Sequence, residues 1–211
     1  MRLIKMLGLA MVAAVAAMAL VGAGSASAAV SLCKVNEPPC AEVNRYAVGT
    51  AIKSELAVGE AVLTGAITIK CKKSTVEGKV TLNNGTENPI GEITSATWTE
   101  CVNGAGTACT VTAIHLNWKA ELTENVAHTN NMKVTGLAKG NPGAEIKGCV
   151  PLPCTVTAAE VNLKVKDSSF FPSPDEMARV FAENEAFGGT CGNTTWNATY
   201  LVTAPKPLYI T

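Results

Sequence analysis

From Tyr46 onward the chain alternates valine, threonine and isoleucine with polar residues, and glycine, asparagine or proline interrupts at short intervals. A period of two sends successive side chains to opposite faces of an extended strand, so the pattern predicts half-buried β-strands. The candidates run near 48–56, 61–71, 74–82, 92–100, 109–122, 131–138, 154–166 and 194–203. Asn83, Asn84 and Gly85 predict a hairpin turn between two of them, because asparagine and glycine tolerate the positive φ that such turns need. Strands of this length and spacing predict an all-β fold, an antiparallel sandwich of about 8–10 strands with at most one short helix.

That one helix is signalled at Ser173, Pro174, Asp175 and Glu176, where serine caps, proline fits the first turn and the glutamate three residues on completes a capping box. Gly188 would end it. The competing reading is a strand through Arg179, Val180 and Phe181. A further pattern is internal: residues 109–119 read CTVTAIHLNWK and residues 154–164 read CTVTAAEVNLK. In both copies the apolar positions change parity, from Val111 to Ile114, Leu116 and Trp118, and from Val156 to Ala159, Val161 and Leu163. A β-bulge near Ala113 and Ala158 accounts for both changes.

Ahead of the strand region, Arg2 and Lys5 precede an unbroken apolar stretch from Met6 to Val21, followed by small residues ending at Ala26, Ser27 and Ala28. This is the three-part layout of a secretion signal over residues 1–28, with cleavage expected after Ala28 and one domain over 29–211. The apolar run is shorter than the roughly 20 residues of a spanning helix. Cys33 follows Leu32 rather than the small residue that precedes a lipidated cysteine. No later segment is long and apolar enough to span a bilayer, so the product is expected to be released outside the cell. Without Arg2 and Lys5 the chain holds two more acidic than basic residues, which disfavours a nucleic-acid partner.

All eight cysteines lie beyond residue 28: Cys33, Cys40, Cys71, Cys101, Cys109, Cys149, Cys154 and Cys191. An even set in an exported chain predicts disulfides, whereas zinc would need closer ligand pairs and more than two histidines. Each repeat copy starts at a cysteine with another just upstream, which suggests Cys101 with Cys109 and Cys149 with Cys154. Cys33 and Cys40 bracket a short loop holding Pro38 and Pro39, which leaves Cys71 for Cys191 as one of many possible connectivities.

Tyr46, Gly49 and Thr50, the Thr68 to Cys71 segment with Ser74 and Thr75, and the ending Thr203, Ala204, Pro205, Lys206, Pro207, Leu208 resemble a group of exported, cysteine-paired bacterial β proteins. The resemblance spans nearly the whole mature chain. It implies no activity, cofactor or site residue.

Candidate chemistry is sparse. His115 falls on a polar strand face with Asn117, Lys119 and Glu121, and His128 falls in a loop-like stretch from Ala127 to Asn131. No G-x-S-x-G occurs, and Asp167 and Asp175 are the only aspartates. Fifteen glutamates offer no reason to choose a glycosidase pair. Lys70, Lys72 and Lys73 are too few for nucleic-acid binding and suit a charged edge or hairpin. Trp98, Trp118 and Trp196 would serve either a core or an exposed sugar platform. Asn84, Asn193 and Asn197 head glycan-acceptor tripeptides that an alanine-rich, bacterial-looking leader makes unused. No cofactor or metal is expected. The leading expectation is a secreted, non-enzymatic binding or structural module with a protein or glycan partner. The alternatives are a secreted hydrolase drawing on His128 and loop glutamates, and a protease inhibitor using a braced loop such as Val102 to Ala108 or Lys34 to Pro39.

Overall fold

The computed structural model describes residues 29–57, 59–124, 129–171 and 177–211. The expected leader, His128 and the capping box at Ser173–Glu176 lie outside the described residues. The chain is all-β, in the order β1 (Leu32–Cys33), β2 (Ala51–Leu56), β3 (Ala61–Gly65), β4 (Thr68–Leu82), β5 (Ile90–Asn103), β6 (Ala108–Ile114), β7 (Trp118–Glu124), β8 (Thr129–Thr135), β9 (Gly143–Lys147), β10 (Cys154–Thr157), β11 (Glu160–Lys166), β12 (Arg179–Phe187), β13 (Thr194–Ala204) and β14 (Tyr209–Ile210). Among the described residues, two single 3-10 turns, Glu42–Asn44 and Ser168–Phe170, are the helical pieces. Arg179–Phe187 is therefore a strand rather than the continuation of a helix. Its Val180 and Ala182 are buried while β11 and β13 hydrogen-bond its two edges. Pairing on both sides outweighs a local capping preference.

The expected sandwich is corrected to a closed barrel of eight staves. Several strands share a stave end to end. The first stave is β2 with β3, followed by β4, β5, β6 with β7, β8 with β9, β10 with β11, β12, and β13. Each stave is antiparallel to its sequence neighbours. β13 then returns to pair with both β2 and β3, so no edge of this sheet is left open. A barrel and a sandwich present the same in-out alternation. The difference lies in this last pairing, between Thr64 and Thr195 for example, which no local signal encodes.

Most staves are bent, and the sequence shows why. Val111 and Trp118 both face the interior, as do Val156 and Val161, Trp98 and Cys101, and Ala182 and Phe187. Each pair is an odd number of positions apart, so strict alternation would turn one member outward. The chain resets in between. His115 and Asn117 adopt positive φ between β6 and β7, residues 158 and 159 separate β10 from β11, and Glu100 and Asn184 adopt positive φ within β5 and β12. The two parity changes expected in the 109–119 and 154–164 segments are thus real. They lie at 115–117 and 158–159, as breaks between strands.

The disulfides are Cys33–Cys40, Cys71–Cys101, Cys109–Cys149 and Cys154–Cys191. Only Cys33–Cys40 matches the expected scheme; Cys71–Cys191, Cys101–Cys109 and Cys149–Cys154 are corrected. Cys101 is indeed opposite Cys109, but it is also opposite Cys71 on its other side. A cysteine inside a barrel has two lateral neighbours, and sequence spacing reveals only the one across the shorter loop.

The arrangement has a mechanical consequence. Cys71–Cys101, Cys109–Cys149 and Cys154–Cys191 all lie at one rim. There, short loops join β3 to β4, β5 to β6, β9 to β10 and β12 to β13. The disulfides supply the neighbour links that the loops do not, joining β4 to β5, β6 to the segment after β9, and β10 to the β12–β13 loop. Around this rim, among the described residues, only the β13–β3 contact is held by hydrogen bonds alone.

The opposite end is covered by the chain termini. β1 pairs with β14, and Ser31 and Thr211 exchange backbone hydrogen bonds. Leu32, Tyr46, Leu208 and Ile210 are buried and join the interior apolar cluster. Asn83, in the expected hairpin turn, is itself buried; its amide donates to the Leu32 and Tyr46 carbonyls and accepts from the Leu32 N–H. Buried Asp167 accepts from the Ile210 and Ser169 N–H groups. Lysine–glutamate pairs occupy the outer wall, among them Lys53–Glu55, Lys79–Glu92 and Lys164–Glu183. Lys70 pairs with Glu60 and Lys73 with Glu100. Such exposed pairs are screened by solvent and contribute little to stability, and their value here is to keep the wall water-compatible.

Candidate ligand cavity

The barrel interior holds a partly open apolar cavity of about 140 Å³, lined by inward residues from all eight staves. Ile146, Val134, Val161, Val156, Ala96 and Trp118 are buried contributors. The volume matches the roughly 150 Å³ engineered cavity in another protein that stays dry and admits benzene or xenon. An eight-stranded barrel is just wide enough either to fill with side chains or to hold one small ligand. Here small residues set the difference, with Ala61, Ala96, Ala144 and Ala182 facing inward where larger side chains would meet.

All three tryptophans line this interior, so the exposed sugar platform considered from the sequence is corrected to an interior wall. Trp196 meets Phe187 edge-on, with ring centroids 6.2 Å apart, and tilts against Tyr200 at 6.0 Å. Trp118 donates its indole N–H to the Ile114 carbonyl at 3.1 Å, across the break between β6 and β7.

Three hydroxyls sit on one wall. Ser54 on β2 faces Val76 of β4 and Val202 of β13; Ser74 and Tyr200 lie two residues before those partners. Ser74 and Tyr200 hydrogen-bond at 2.8 Å, both buried. Burial pushes the Tyr200 phenol up to about 12, although hydrogen bonds with Ser74 and Trp98 pull the other way. The unfolded phenol ionises near 10, so the folded chain keeps a proton that the unfolded chain releases. Stability from this site is full below pH ~10 and is lost as pH rises toward about 12, by up to roughly 3 kcal/mol. Alkaline titration of tyrosinate absorbance should show one tyrosine ionising only as the near-UV circular dichroism collapses. Tyr200→Phe should remove that step; a Tyr200 that ionised with the fold intact would refute the assignment.

The sequence-level candidates fall elsewhere. His115 Nδ1 is 2.9 Å from the Asn141 carbonyl, and a Cβ on Gly140 would sit 3.1 Å from the same nitrogen. The imidazole is exposed, as a solvated polar face predicts, but it lies at the bend between β6 and β7 rather than on a regular strand and contacts the 136–142 loop. Glu160, its counterpart in the second segment, accepts from the Asn162 side chain on the outer surface. Glutamates 55, 92, 145 and 183 are spread over the outer wall in ion pairs. The Val102–Ala108 loop is held from within, its Asn103 amide accepting from Ala105 and Thr107 N–H groups and donating to the Cys149 carbonyl. Among the described residues no group of three or more His, Cys, Asp or Glu is placed to hold a metal ion. None of their helices is long and apolar enough to cross a membrane.

Sequence reading gave no site role to Ser54, Ser74 or Tyr200. The available signal was two serines at inward positions of strands whose other inward residues are mostly apolar. No family model, curated protein or solved structure matches this chain.

Proposed function

We propose that the protein is a secreted, non-enzymatic carrier that takes a small apolar molecule into its barrel. The observation that carries this reading is the 140 Å³ cavity, whose wall is almost wholly apolar. Small-molecule sites are concave and mostly apolar, with few polar groups, and the interior has that character. Four disulfides are typical of extracellular proteins, which supports release from the cell together with the expected leader. Outward ion pairs around an apolar interior support a water-facing wall; a membrane-spanning barrel has the reverse polarity. A small ligand is preferred to the glycan considered from sequence because the tryptophans that a sugar platform would use point inward.

Titration of the oxidised chain, residues 29–211, with toluene tests this. One saturable site with a dissociation constant of roughly 10–1000 µM is expected for a seven-heavy-atom ligand. The methyl resonances of Val134, Ile146 and Val161 should shift with it. No saturable binding, with those resonances unmoved, would refute the carrier reading.

A further inference from the structure

Ser54 is 9 % exposed and lines the cavity, and among the described residues its hydroxyl has no hydrogen-bond partner, although the oxygen itself is not wholly enclosed by protein atoms. A hydroxyl that faces apolar surroundings without a partner is unfavourable, so a polar side chain on this wall calls for a group to meet it. The neighbouring Ser74–Tyr200 pair sharpens the point. The single hydrogen bond between Ser74 and Tyr200 gives each of those hydroxyls a partner and uses one of their two O–H donors, whereas Ser54, on the stave between them, retains both its donor and its acceptors.

We infer that the cavity's ligand is an uncharged molecule, about the size of a substituted six-membered ring, bearing one hydroxyl or carbonyl that hydrogen-bonds to Ser54. This rests on the carrier reading and adds the chemical class. Size follows from the cavity volume. Neutrality follows from the lining: no lysine, arginine, aspartate or glutamate contributes to the wall, and an unpaired ion there would be far too costly. A single polar group follows from Ser54 having the one hydroxyl of the described cavity lining that lacks a partner, since Tyr200 is bonded to Ser74.

The test compares toluene with phenol, which match in shape and differ by a methyl for a hydroxyl, on the wild-type chain and on Ser54→Ala. Phenol affinity should fall about three- to tenfold in S54A, the range of one net hydrogen bond, while toluene affinity stays within about twofold. The melting temperature of S54A should equal or exceed that of the wild type, since an unsatisfied hydroxyl has been removed, which guards against a folding artefact. If toluene binds but S54A leaves phenol unaffected, or weakens both ligands equally, the assignment of Ser54 is overturned and the carrier reading stands. If wild type binds neither probe, the carrier reading fails and the inference fails with it.

Discussion

Ala96→Leu should abolish toluene binding, weakening it more than about 30-fold, while leaving the barrel as stable as before or slightly more so. Ala96 is buried on β5 and lines the cavity. Leucine there adds three carbon atoms to a space that holds only one small molecule. Each buried methylene contributes about 0.8 kcal/mol, against about 1–3 kcal/mol if the wall must shift to admit it. A cavity that exists to be occupied tolerates filling; a packed core does not. Ala182→Leu makes the same test from β12, four staves away and so on the opposite wall. Isothermal titration with thermal melts reads both quantities. Unchanged toluene affinity in both folded variants would place the ligand elsewhere, and a steep loss of stability in both would mean that the interior is already full.

Opening the three rim disulfides should cost most of the fold's stability, whereas opening Cys33–Cys40 should cost about half as much as opening one rim bridge. The three rim bridges close loops of 30, 40 and 37 residues, against 7 for Cys33–Cys40. In the chain-entropy model each rim bridge contributes roughly 4 kcal/mol and the short one about 2.4 kcal/mol. Three rim bridges together approach the whole stability of an ordinary domain, about 5–15 kcal/mol. Replacing Cys109 and Cys149 with alanine should therefore lower the melting temperature by about 8–16 °C, and the Cys33/Cys40 double replacement by about half that. Complete reduction by a dithiol should unfold the chain at room temperature. A reduced chain that kept its near-UV circular dichroism and melted within about 5 °C of the oxidised form would show that hydrogen bonds alone close the barrel.

The elements were legible because alternation is local. Val, Thr and Ile at every second position mark β4, β5 and β13, and the odd spacing of Val111 to Trp118 and Val156 to Val161 exposed two bends in advance. What closes the sheet was not legible. Tyr200 meets Leu56 across a chain separation that leaves no mark on either segment. The same limit applies to the cysteines: Cys101 has a nearby candidate in Cys109 and a distant one in Cys71, and only the tilt and closure of the barrel decide between them. Arg179–Phe187 failed for a related reason, since its strand character comes from flanking β11 and β13 rather than from its own composition. The cavity was least legible of all. Its signature is a set of alanines, at positions 61, 96, 144 and 182, that each look unremarkable until four walls bring them together.

A crystal of the oxidised chain under xenon pressure addresses the central claim most directly, because xenon reports unfilled apolar space without any assumption about the natural ligand. A single strong xenon site inside a closed eight-stave barrel, in contact with Trp118, Ile146 and Val161, is the predicted result. A xenon-free interior, or two sheets that fail to join between β13 and β2–β3, would contradict it.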